Sequence, residues 1–223
     1  GESLHTLFSY FDLMSLPWKK LDEDCFDEVV IGEDAFAFAN KHQRFYERMS
    51  ARFPKEREGL KKYVDFLKQV GDHIFDSFNL QNEGTFTNSL FARSAYEFLN
   101  ETIKDPLLRK VLSGTSLKME LNAPTLPLYT FAQINDSFIR SAWRLRGGGM
   151  QIADKLVGGI EAMGGEVKTW AAVTYIKEED GKVVGVTVND EDYLEADWII
   201  SSTHPAYTVS LIGDSKKMRR IYR

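Results

Sequence analysis

The hydrophobic period of this chain changes at a run of three glycines, residues 147–149. Before them, apolar residues recur at steps of three and four, the spacing of one helix face. Leu4, Leu7, Phe8 and Phe11 form one such stripe, and Leu60, Tyr63, Leu67, Val70 and Ile74 form a longer one. Phe45 with Met49, then Leu90, Phe91, Phe98 and Leu99, and later Phe131, Ile134, Phe138 and Ile139, predict further helices. Asp105 followed by Pro106 opens a short helix, because aspartate caps an N-terminus and proline suits the first helical position. One stretch in this part breaks the rule. In residues 26–40, Phe36 and Phe38 alternate with alanines behind a turn at residues 32–34, which reads as a β-hairpin. Residues 78–87 read as a loop, and residues 120–130, with two prolines, as an extended crossing.

After the glycines, Ile152, Leu156, Ile160 and Met163 mark one more helix, stopped by Gly164 and Gly165. The apolar period then becomes two. Strands are expected at residues 166–170, 173–179, 182–188 and 193–201, with Asp180 and Gly181 making a tight turn and residues 189–192 a polar one. A chain that uses both periods, helical first and meander last, is α+β. The seam falls near residues 143–147.

Composition narrows the function classes. An apolar share of 43% places the 223 residues among chains that bury a core. A net charge of −5 and a pI near 5.5 argue against a nucleic-acid partner, whose footprint is basic and clustered. Cys25 is the single cysteine, so no intramolecular disulfide forms and a reducing, cytoplasmic setting is the simplest expectation. Its acidic neighbours Asp22, Glu23, Asp24, Asp27 and Glu28 disfavour a thiolate. No apolar run approaches the roughly 18 residues of a membrane span.

Glycines before a helix raise the question of a bound phosphate. A dinucleotide fingerprint needs glycine at positions one, three and six directly after a strand. With Gly147 and Gly149 as the first two, Ile152 stands at the sixth, and residues 138–146 do not read as an apolar strand. The glycines therefore read as a tight backbone turn. His5, His42, His73 and His204 lack metal-ligand spacing, and no metal site is expected. Ser201, Ser202 and Thr203 stand beside His204 without a nucleophile elbow. The aromatic residues of the first forty positions suit a core, or the wall of an apolar pocket. No catalytic constellation is visible.

The order of motifs nevertheless resembles the middle of the phytoene desaturase-like flavoproteins, which include carotenoid desaturases and isomerases and the retinol saturases. The resemblance rests on Gly148 and Gly149 at the turn, Gly164 and Gly165 at the helix end, and Val173 with Ile176 in the next strand. It continues through residues 181–186, the Ala-Asp-x-Ile-Ile-Ser run at 196–201, Pro205 and Thr208. Upstream, residues 16–40 and 45–67 resemble that family's substrate-domain hairpin and following helix more faintly. Residues 142–145 depart from it, because relatives often reach the turn through a tyrosine and a proline.

The resemblance implies a substrate-binding domain at 1–145, part of an FAD-binding domain at 146–204, and a return towards the substrate domain at 205–223. It implies FAD as cofactor of a longer parent protein whose fingerprint lies outside this sequence, so these residues alone are expected to be inactive. Val173 would contact the cofactor's adenine through its backbone. Gly158 and Gly159 would mark close packing, since each costs about 1 kcal/mol in a helix interior. The implied activity is hydride exchange with carbon–carbon bonds of a small apolar, polyene or lipid-like substrate. Peripheral membrane contact and the oligomeric state stay open, and no catalytic residue is assigned. The rival readings are an amine-oxidase-type flavoenzyme and a non-catalytic helical binding module.

Overall fold

A computed structural model describes residues 2–73, 85–119, 125–213 and Ser215. The chain divides into two compact units, Gly1–Leu156 and Val157–Arg223, with the division inside one helix.

The first unit is mainly helical. It contains α1 (Glu2–Tyr10), α2 (His42–Arg52), α3 (Arg57–Asp72), α4 (Thr85–Phe91), α5 (Ala95–Thr102), α6 (Pro106–Leu112), α7 (Leu128–Arg140) and the start of α8 (Met150–Ala162). Leu60, Tyr63, Val64, Leu67 and Val70 of α3 share one core with Leu128, Phe131, Ala132 and Ile139 of α7, joined by Phe45 and Met49 of α2. Each fully buried large side chain of this kind contributes about 1.5–3 kcal/mol. The expected hairpin is present as β2 (Asp27–Ile31) and β3 (Asp34–Phe38), paired antiparallel. Phe36 stacks on Phe53 and Phe38 meets Phe45 edge-on, so both go to the core and neither walls a pocket.

Local chemistry sets the helix ends. Asp105 accepts hydrogen bonds from the amides of Leu107 and Leu108, as its position before proline foretold. The carboxylate of buried Glu56 accepts the amides of Lys104 (3.2 Å) and Asp105 (2.7 Å), tying the turn after α2 to the start of α6.

Four expectations are corrected. Leu90 through Leu99 is two helices, because Ser94 takes an extended conformation and caps α5 through the amide of Tyr96. The loop reading fails from Thr85, where α4 begins; residues 74–84, including Ile74, lie outside the described residues. Residues 128–130 are the first turn of α7 rather than extended, since Pro127 stands before the helix; residues 120–124 also lie outside. Finally, the glycines do follow a strand. Residues Trp18–Lys20 (β1) and Trp143–Leu145 (β4) pair antiparallel, a contact too short to leave a period in the sequence.

The second unit is an antiparallel meander, β5 (Val173–Glu179), β6 (Lys182–Val188) and β7 (Asp192–Glu195), with α9 (Pro205–Ile212) lying against β5. Ile176 and Val188 are its buried apolar side chains among the described residues. Two expected strands are missing or short. Residues 166–170 form none and end at Trp170, whose φ of 57° breaks an extended run. The last strand stops at Glu195: the Ala196 amide still donates to the Val184 carbonyl of β6 at 3.1 Å, but residues 197–201 pair with no strand among the described residues. Among the described residues, no helix is long and apolar enough to cross a membrane.

Candidate functional site

The glycine turn works as the sequence suggested. Gly147 and Gly148 have φ of 86° and 99°, a region that glycine adopts at no steric cost. The Gln151 side chain closes the turn by donating to the carbonyls of Arg146 (2.6 Å) and Gly148 (2.9 Å), and α8 begins at Met150. Gly164, with φ 85°, and Gly165 end that helix through bonds to Glu161 and Ile160. Gly158 and Gly159 are a correction: a Cβ at either would meet nothing within 4 Å, so no close packing explains them.

Val173 is the first residue of β5, half-buried, at the edge of the three-stranded sheet and paired with Val188. The Asn189 amide donates to the Ala172 carbonyl at 2.8 Å, which makes Ala172 and Asn189 a hydrogen-bonded pair. Antiparallel pairs alternate in kind, so Val173 and Val188 are a non-hydrogen-bonded pair. The Val173 amide and carbonyl consequently point away from β6, towards the side of β5 that has no strand neighbour. A register shift between Val173 and Tyr175 leaves Thr174 as an extra residue, and such bulges bend and re-aim a strand. Backbone groups turned outward beside a bulge suit a planar ligand with a donor and an acceptor on one edge.

Asn189 holds this arrangement, and the sequence reading missed it. Its Oδ1 accepts the Ala172 amide (3.0 Å) and its Nδ2 donates to the Trp170 carbonyl (3.1 Å). Thr174 adds to the tie, its hydroxyl accepting the Asp190 amide at 3.3 Å. The signal available in the sequence was an asparagine in a turn, a residue type that tolerates the left-handed φ of 55° found here.

Other candidates are accounted for by packing. Ser201, Thr203 and Thr208 share hydroxyl contacts of 2.7–3.0 Å on the surface, and His204 caps α9 through the Ala206 amide. Burial, then the Glu28 carboxylate, pushes the Cys25 thiol up, which agrees with an unreactive side chain. His42 Nε2 contacts buried Asp136 at 2.6 Å, and Arg140 joins that carboxylate to Asp72. A recess of about 220 Å³ beside His42 is lined by Gln43, Tyr46, Lys61, Val64, Asp65 and Lys68. That lining is too polar for a polyene chain. Among the described residues, no cluster of side chains could hold a metal ion.

Comparison with known proteins adds three findings. No family model matches the sequence. An all-trans-retinol 13,14-reductase from Danio rerio is 28% identical over 213 aligned positions, which cover 83% of this chain and 34% of that protein. The chain thus spans about a third of the length of the curated relative it matches. A crystal structure of an oxidoreductase from Methanosarcina mazei is similar with a TM-score of 0.65 over 97% of this chain and 49% of its own, at 19% identity. At that identity the likeness concerns the fold.

Proposed function

We propose that the chain is a partial segment of a retinol saturase-like oxidoreductase, an FAD-dependent enzyme acting on carbon–carbon bonds of a polyene-like substrate. The observation that carries the reading is the similarity to the retinol reductase along 83% of this chain. The outward-facing backbone of Val173 supports the cofactor, because it offers the donor and acceptor that the edge of an adenine needs. Bound FAD would exchange the hydride with the substrate double bond. This chain's residues would do the rest. Residues 1–145 would bind the substrate away from water, residues 146–204 would complete the flavin domain from Val173 outward, and residues 205–223 would lead back towards the substrate.

Large apolar side chains stand open in the second unit, with Trp170 at 96%, Trp198 at 88% and Ile200 at 97% exposure. This much bare apolar surface favours a longer parent protein that covers it.

The test is to purify the parent protein and measure bound flavin, then incubate it anaerobically with all-trans-retinol or a carotenoid and a reductant or oxidant of the flavin. The expected result is stoichiometric FAD and a substrate that gains or loses one pair of hydrogens. A colourless parent, or turnover of amines and of no polyene, overturns the reading. Residues 1–223 alone should be colourless, since part of a site does not recover the freedom a cofactor loses on binding.

A further inference from the structure

We infer that Asn189 is the positioning residue that holds the Val173 backbone ready for the cofactor; this rests on the flavin reading proposed above. Three hydrogen bonds join this one residue to the segment just before Val173: its own amide to the Ala172 carbonyl, its Oδ1 to the Ala172 amide, and its Nδ2 to the Trp170 carbonyl. The first two fix which face of Ala172 is used, and by alternation they decide that Val173 faces outward. Had the pairing slipped by one residue, Val173 would spend its amide and carbonyl on β6. The third bond is needed because Trp170 sits at φ 57°, which a bulky residue avoids unless its surroundings impose it. Asn189 therefore fixes both the conformation before the strand and the alternation within it.

A purely structural role is the competing account, because Asn189 also lies in the β6–β7 turn with Asp190, both at positive φ. Glycine separates the two roles. It accepts the turn conformation at no cost yet lacks the side chain.

The experiment uses the full-length protein after extraction of its flavin, titrated with FAD and followed by flavin fluorescence, with thermal unfolding measured in parallel. Asn189→Gly should keep the melting temperature of the apoprotein near wild type and bind FAD about tenfold more weakly, the loss of about one hydrogen bond's net contribution. Asn189→Asp keeps the acceptor for the Ala172 amide and should recover part of that loss. Gly181→Ala strains the β5–β6 turn, where φ is 78°, and should lower the melting temperature with little change in affinity. Equal FAD affinity in wild type and a folded Asn189→Gly overturns the inference while leaving the flavin reading intact. A wild-type protein that binds no FAD overturns both.

Discussion

Val173 and Arg140 show how differently two single residues can act. At Val173 the side chain is incidental to the proposed contact and the backbone is the recognition group. In the full-length protein, Val173→Ala should retain most of its flavin. Val173→Pro removes the amide donor and should weaken binding by about 1–3 kcal/mol, the cost of leaving a buried partner unmet. FAD titration of both variants, with circular dichroism to confirm folding, checks this, and equal affinities would make Val173 a packing residue. Arg140 acts through charge. It donates to Asp72 at 2.7 Å and so holds that carboxyl below its usual range. A depressed folded-state value means the ionised form stabilises the fold above the unfolded value of about 3.9. That contribution fades as pH falls through the folded-state value. Asp72→Asn should therefore be less stable near pH 7, by no more than about 1 kcal/mol because the pair is half-exposed. Denaturant melts should show the gap closing at acid pH; a gap independent of pH would mean the ion pair contributes nothing.

At the scale of the element, caps and turns decide where structure begins. Asp105→Ala removes an acceptor for two amides at the start of α6 and should cost about 1 kcal/mol in urea unfolding. A loss within error of zero would show that the Glu56 carboxylate alone fixes this corner. This helix was legible in the sequence because its signal is local: aspartate, then proline. The hairpin at Gly32 and the turn at Asp180 and Gly181 were legible for the same reason. The pairing of β1 with β4 was not, because three residues carry no period and the partner lies more than a hundred positions away. Residues 197–201 misled in the opposite sense. Their apolar run has the composition of a strand, but a strand exists only where a neighbour accepts its hydrogen bonds. The cofactor role proposed for Val173 rests on resemblance, not on any period or spacing in the sequence. Its outward aim is set by Asn189, whose reach across the sheet leaves no mark on the spacing of residues.

The two units bury very different amounts of apolar surface. The core of the first runs from Phe36 to Ile139 and joins six helices, α2 to α7, whereas the described part of the second buries Ile176 and Val188. Local opening is easiest where few apolar contacts must be broken. Native-state hydrogen exchange on residues 1–223 should therefore show slow amides in α3 and α7 and faster ones throughout β5–β7. Uniform protection across both units would mean that they unfold as one. The pairing of β1 with β4 has a separate consequence for how such a chain can evolve. Residues 18–20 and 143–145 lie side by side, so the chain leaves for α2–α7 and returns at nearly one point. Everything between is a cassette with adjoining ends. It can lengthen, shorten or be exchanged for another without shifting the glycine turn that follows, and a new joint between its ends is within reach of a short linker.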